Sequence, residues 1–352
     1  MIELKELINS DAFKEKKLDD FTFFINNLTK YHYRRSKLYK KILDFHNFDL
    51  KKKYSLINLP FIPVRLFKNY ELKSIDKKSI FKTLKSSGTS GNNFSKIHLD
   101  TFNSQNQLKV LSKITSKFIG NKRLPMLIFD NKNILNNSKS LSARGAAILG
   151  FSVFGRNLTY ALNEDSSLDI KSIIDFYKKY KNQKFLIFGF TSIIWKKICL
   201  ELKLIDYSFD FKNAILLHGG GWKKLEKKKI SNMKFKNILK KNFNLKKVHN
   251  YYGMVEQAGS IFLECNKCGY FITSFFSDII IRDNNFQVIP DGEFGLVQLI
   301  SLLPTSYPGH NIITEDIGMI AKNNKCSCSK LGKRFLIKGR VEKAETRGCS
   351  NI

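Results

Sequence analysis

The sequence predicts an α/β fold with a helical N-terminal segment, a mainly parallel sheet region and a β-rich segment after it. Three observations predict it. Apolar positions through Phe21–Leu43 recur at mixed three- and four-residue spacing, the period of a helix face. From about residue 85 to 260, short apolar runs (Pro125–Phe129, Phe185–Phe188, Ala214–Leu217) alternate with longer amphipathic stretches, the rhythm of buried strands and covering helices. From about residue 260, segments such as Asp278–Ile281, Gly295–Ile300 and Phe335–Ile337 are short and separated by Gly, Pro, Asp and Asn. The expected divisions are a helical segment 1–84, an α/β core 85–260, a β-rich segment 261–341 and a mobile tail 342–352.

Each segment has its own justification. The first helical stretch should end before Leu59-Pro60-Phe61-Ile62-Pro63, because the residue before a proline is disfavoured in helix. The apolar stretches around Ala146–Phe154 and Phe185–Trp195 are about half of the roughly twenty residues a bilayer helix needs, so they read as core. Cys199, in an apolar helical stretch, reads as a core residue too. The opening MIELKELINS has no apolar signal core, which predicts a cytoplasmic protein with reduced thiols. The net charge of +31 comes mostly from lysine runs such as Lys51–Lys53 and Lys227–Lys229. Arginine, which reads guanine and stacks on bases, is scarce. A solvated lysine surface is therefore a simpler reading than a nucleic-acid site, with attraction of an anionic substrate or acidic carrier left open.

Four stretches carry chemistry. In Ser86-Ser87-Gly88-Thr89-Ser90-Gly91, glycines let backbone approach phosphate and hydroxyls donate to it, though the same string also suits a plain turn. In Asn250-Tyr251-Tyr252-Gly253-Met254-Val255-Glu256, an aromatic can stack a base and Glu256 can hold Mg²⁺ near phosphates. Asp316, in Thr314-Glu315-Asp316-Ile317-Gly318, reads as a loop carboxylate able to accept two hydrogen bonds from a ribose diol. Arg340, in Gly339-Arg340, is a ribose or phosphate contact.

In this order the four resemble the core motifs of adenylate-forming enzymes, with Val255 where threonine is usual and Lys96 two residues late. A narrower resemblance is to the LuxE-type acyl-protein synthetases. It is carried by Leu59–Pro63 with Leu66-Phe67-Lys68, the Ser86–Gly91 loop, Phe188-Gly189-Phe190-Thr191, Leu217-His218-Gly219-Gly220-Gly221-Trp222-Lys223-Lys224 and Tyr252–Gln257. It continues through Ser306-Tyr307-Pro308-Gly309-His310 and Thr314–Asp316 to Gly339-Arg340-Val341. The resemblance implies the N-terminal domain of an adenylate-forming enzyme. The implied chemistry is attack of a carboxylic acid, in the family a fatty acid, on ATP with Mg²⁺, followed by transfer of the acyl group to a thiol. On this reading the Ser86–Gly91 loop holds β/γ-phosphate, Glu256 Mg²⁺, and Asp316 ribose. Gly219, Gly220 and Gly221 line the adenine or acyl pocket. His218 either donates to the carboxylate or is a buried histidine satisfied by backbone.

Acyl-CoA synthetases that share these motifs continue past the Gly-Arg hinge into a small domain that supplies a lysine. Only twelve residues follow Arg340, so a lysine-bearing lid is expected to be missing. Lys68, Lys96 and Lys223 are candidates to replace its lysine. By resemblance Cys349 receives the acyl group and an acyl reductase or acyl carrier takes it onward; otherwise Cys349 is a surplus cysteine on a terminus.

Cys265-Asn266-Lys267-Cys268 and Cys326-Ser327-Cys328 form a C-x₂-C … C-x-C set that suits a closed, structural Zn²⁺, the alternative being four unconnected thiols. Three functions are thus carried forward. They are an acyl-protein synthetase, an acyl-adenylating ligase with an external CoA or carrier thiol, and a zinc-containing basic nucleic-acid-binding protein.

Overall fold

The apolar runs in the middle of the chain become strands because each is covered on both faces. In the computed structural model, which describes residues 2–86, 94–135, 140–222, 225 and 229–341, five strands form a parallel array. These are β1 (Leu124–Phe129), β2 (Gly155–Tyr160), β3 (Phe185–Phe190), β4 (Ala214–Gly219) and β5 (Lys247–Tyr252), paired in the order β5–β4–β3–β1–β2. Every residue of β3 and β4 is buried, which is why these stretches read as unbroken apolar runs instead of alternating ones. The covering helices begin at side-chain caps that satisfy otherwise orphaned N–H groups. Ser142 accepts from the Gly145 N–H at 3.1 Å, Asp169 from Ser172 at 3.0 Å, and Ser231 from Lys234 at 3.2 Å. Helix Ile170–Tyr180 turns Ile173, Phe176, Tyr177 and Tyr180 inward.

The chain divides into two compact units. Residues 115–252 make the one just described, with the gaps already given; residues 2–86, 94–114 and 253–341 make the other. The latter thus joins the helical N-terminal residues to the β-rich C-terminal ones. Its main sheet contains β6 (Ser277–Arg282), β7 (Gly295–Ser301), β8 (Asn311–Ile320) and β9 (Arg334–Arg340), antiparallel in that order. The proline-flanked Ile62–Pro63 adds a short parallel strand to β8, Ile62 opposite Ile312, and the Asn311 amide donates to the Pro60 carbonyl at 3.0 Å.

The N-terminal helices are Ile2–Asn9, Leu18–Arg35 and Lys37–Phe45. The last is closed by Asn47 at φ 54°. The Asn47 N–H bonds the Asp44 carbonyl and the Phe48 N–H the Leu43 carbonyl, so the helical run stops at this left-handed cap. Inside this unit His32 and His310 are both fully buried and stack at 4.9 Å. His32 Nε2 donates to the Pro304 carbonyl at 3.0 Å, so its Nδ1 accepts from the Ser74 hydroxyl at 2.7 Å. Burial brings the His32 pKa down to about 3 and holds His310 well below its ordinary value, His32 adding to the effect. No helix among the described residues is long and apolar enough to cross a membrane.

Candidate active site

Parallel sheets bind ligands at the carboxyl ends of their strands, and here those ends carry the polar residues. Asp130 follows β1, Tyr160 ends β2, Thr191 follows β3, His218 and Gly219 end β4, and Tyr252 ends β5. The register sets Gly189, His218 and Asn250 side by side, and next to them Phe190, Gly219 and Tyr251. A Cβ on Gly219 would lie 2.5 Å from the Tyr251 ring, so only glycine admits that ring. Gly220 and Gly221 follow at φ 78° and 70°, a left-handed pair no bulky residue would hold without strain.

His218 is 1% exposed. The Thr191 hydroxyl donates to the Gly219 carbonyl at 3.0 Å and lies 2.9 Å from His218 Nδ1. Burial, with the charge of Lys236 and the nearby His249, brings the His218 pKa down to about 3. Phe235 packs beside the ring at 5.0 Å, and Trp222 and Trp195 extend the aromatic wall. Asp130 and Arg144, both buried, form a bidentate ion pair, with Arg144 Nη2 to Asp130 Oδ1 at 2.5 Å. Composition and spacing did not single out Thr191, Asp130 or Arg144 for a role. For Asp130 and Thr191 the usable signal was a position just beyond a buried apolar strand; Arg144, in the first turn of helix Ala143–Ser152, had none.

The remaining sequence-derived site residues that the structure describes lie in the other unit. Glu256 is 1% exposed, in the turn Val255–Gln257. Its neighbour Gln257 fixes that turn by donating to the carbonyls of Leu299 at 3.0 Å and Gly309 at 2.8 Å. Gly309 meets the Glu256 backbone so closely that a Cβ there would sit 2.6 Å from the Glu256 carbonyl oxygen. The Tyr-Gly-Met-Val-Glu-Gln and Tyr-Pro-Gly-His strings are thus one packed assembly. Gly253 approaches Ile261, 3.3 Å from where a Cβ would stand.

Asp316 is not in a loop, as its turn-forming neighbours suggested. It lies within β8, directly opposite Arg340 of β9, close to where the ladder shifts register between Ile317 and Gly318. Arg340 Nε is 3.4 Å from Asp316 Oδ1. Next to it, Arg65 Nε donates to Glu315 at 2.7 Å. The Ser86 hydroxyl accepts the Ser95 N–H at 2.8 Å and the two backbones pair, closing the ends of that segment. Ser87, Gly88, Thr89, Ser90 and Gly91 lie outside the described residues, as do Lys223 and Cys349. Of the other lysine candidates, Lys68 is half-buried and Lys96 is exposed.

The sulfurs of Cys265, Cys326 and Cys328 lie within 4.8 Å of one another. The Cys265–Cys326 separation is 3.8 Å, the edge expected of a tetrahedron with metal–sulfur bonds of about 2.3 Å (about 3.8 Å). Gly269, at φ 74°, lets the chain turn back so that its N–H bonds the Cys265 carbonyl at 2.8 Å. The Lys267 N–H and Arg334 Nη2 reach the sulfurs of Cys265 and Cys328, each at 3.4 Å. Burial raises Cys265 to about 12. Cys326, which burial also disfavours as thiolate, is held at about 7 by the Cys328 backbone and by the thiols of Cys328, Cys268 and Cys265. Three of the four expected donors thus converge; Cys268 falls outside that 4.8 Å group although its thiol bonds those of Cys265 and Cys326, and a four-thiolate set of this kind would suit Zn²⁺.

A family model described as acyl-protein synthetase, LuxE, matches residues 5–352. The chain belongs to the LuxE acyl-protein synthetase family. It is accordingly an enzyme of the ligase class. A LuxE relative, the long-chain-fatty-acid–luciferin-component ligase of Aliivibrio fischeri, is 22% identical over 315 residues, covering 82% of this chain and 76% of that protein. Among solved structures, an open conformation of 2-hydroxyisobutyryl-CoA ligase, in complex with 2-HIB-AMP and CoA, superposes with a TM-score of 0.71. It is 13% identical, with 93% of this chain and 70% of that chain covered. ATP-bound MatB from Rhodopseudomonas palustris gives a TM-score of 0.51 at 13% identity, over 76% and 49% of the two chains. This LuxE-family chain therefore has the fold of the adenylate-forming ligases, as its motif order implied.

Proposed function

We propose that this enzyme activates a carboxylic acid with ATP as an acyl-adenylate and passes the acyl group to the thiol of Cys349. Family membership supports the acid-activating half. The observation that carries the nucleotide assignment is the Asp316–Arg340 pair. Two residues far apart in sequence share one rung of the sheet, with a carboxylate able to accept a ribose diol and a guanidinium beside it.

In the first step a carboxylate oxygen attacks the α-phosphorus; the new C–O–P link forms as the bond to pyrophosphate breaks. The protein's task there is to orient and to offset charge, which the Ser86–Gly91 loop and Arg340 serve. Glu256 offers the hard oxygen donor Mg²⁺ takes. Among the described residues no cluster of three metal-ligating side chains includes it, so phosphate and water oxygens would complete the shell. Such an ion would neutralise phosphate charge. Tyr252 and Gly219–Gly221 line the adenine or acyl pocket, and the four cysteines hold a structural Zn²⁺. In the second step the Cys349 thiolate attacks the acyl carbon and AMP leaves, giving a thioester for an acyl reductase or carrier.

The name of the Aliivibrio fischeri relative makes long-chain fatty acids the first to try. The test is intact mass after incubation with ATP, Mg²⁺ and an acid panel, with and without hydroxylamine. A hydroxylamine-labile acyl mass, absent from Cys349→Ser, is expected. Pyrophosphate release without an adduct would move the acceptor to an external CoA or carrier thiol.

A further inference from the structure

The structure assigns His218 Nε2 as an acceptor subsite for an N–H or O–H group of a substrate, with Thr191 the positioning residue that fixes the ring's tautomer. The inference rests on the adenylation reading and deepens it. A carbonyl oxygen only accepts, so the single hydrogen of the Thr191 hydroxyl goes to Gly219. The hydrogen between Thr191 and Nδ1 must then belong to the ring. A neutral imidazole has one such hydrogen, which leaves Nε2 as a bare lone pair.

That lone pair is buried and has no hydrogen-bond partner among the described residues. Native interiors rarely leave such an atom unmet unless something else meets it. The Phe235 ring packed beside it has no donor to offer, and neither indole N–H of Trp195 or Trp222 is bonded to it. The ring's place does suggest a ligand: the carboxyl end of a central parallel strand, two residues before the left-handed Gly220-Gly221 pair.

Chemistry narrows what can approach. Ionised carboxylate and phosphate oxygens only accept, so the lone pair repels them. The groups that fit are the exocyclic amine of adenine, or a hydroxyl or amine on the acid's chain; an unsubstituted saturated acyl chain offers neither. Proton abstraction is not the role. With its pKa near 3, the ring lies far below a thiol at about 8.5, a poor match for a general base.

The test measures kcat/KM for acid-dependent ATP–pyrophosphate exchange with the full chain, in two arms. The nucleotide arm compares ATP with purine riboside triphosphate, which has hydrogen in place of the amine. The acid arm compares chain-matched acids with and without a hydroxyl. One arm is expected to favour the donor-bearing partner by at least about tenfold, since sites built to bond an O–H or N–H reject analogues lacking it strongly. Thr191→Val should bring that ratio to within about twofold, because the ring can then move its hydrogen to Nε2; Thr191→Ser should keep it. Ratios near one in both wild-type arms would overturn the subsite. A Thr191→Val ratio equal to wild type would overturn the tautomer lock. Absence of exchange with every pair is a different result, and would sink the adenylation reading on which the subsite rests.

Discussion

Asp316 and Arg340 face each other across adjacent antiparallel strands, the guanidinium Nε 3.4 Å from the carboxylate. Both side chains keep some exposure, 13% and 33%. An ion pair of this kind contributes only about 0–1 kcal/mol to stability, so the proposed nucleotide role predicts that removing it costs binding far more than folding. Asp316→Ala and Arg340→Ala should each raise the KM for ATP by about tenfold or more while moving Tm by only a few degrees. Steady-state kinetics beside a thermal melt checks both halves.

Much of this was legible in the sequence. The runs at Pro125–Phe129, Phe185–Phe188 and Ala214–Leu217 became β1, β3 and β4 because parallel strands covered on both faces need apolar residues throughout. The cysteine spacing anticipated one cluster. The Asp316–Arg340 rung was not legible, since strand register joins residues that no local pattern relates, and the neighbouring Glu, Asp and Gly read as a turn. Thr191 was hidden for a similar reason: its partners, Gly219 and His218, come from the next strand. The Asp130–Arg144 pair likewise joins a strand end to a later helix.

The buried Asp130–Arg144 pair should be costly to break and cheap to replace. Asp130→Asn leaves a buried guanidinium uncompensated, an expected loss of about 3–5 kcal/mol in denaturant unfolding. The double replacement Asp130→Leu with Arg144→Met should recover most of it.

Three buried histidines give the fold an acid sensitivity. His32 and His218 have folded pKa values near 3 and His310 lies well below its ordinary value, against about 6.5 when unfolded. The unfolded chain therefore binds more protons below pH 6.5. Their contribution is fully present above that pH and is lost as pH falls towards 3, by up to about 1.4 kcal/mol per pH unit for each. Asp278, whose carboxyl is also held below its ordinary value by Lys16 and Lys333 against burial, adds to the loss only in the carboxylate range near pH 4 and below. Denaturant unfolding at pH 7.5, 6.0 and 5.0 should show this slope, and His310→Asn should reduce it by about one proton.

The cysteine cluster should hold one Zn²⁺ per chain by elemental analysis. Cys326→Ser or a strong chelator should remove it and lower Tm by about 5 °C or more, because the metal ties the Cys265–Cys268 turn to the segment before β9.

The most direct test of the central claim is exchange of labelled pyrophosphate into ATP by the purified chain with Mg²⁺ and a panel of carboxylic acids. Acid-dependent exchange, reduced about tenfold or more at subsaturating ATP in Asp316→Ala and kept in Cys349→Ser, is the predicted result. Verified ATP binding with no exchange for any acid, or acid-dependent release of phosphate and ADP instead of pyrophosphate, would contradict it.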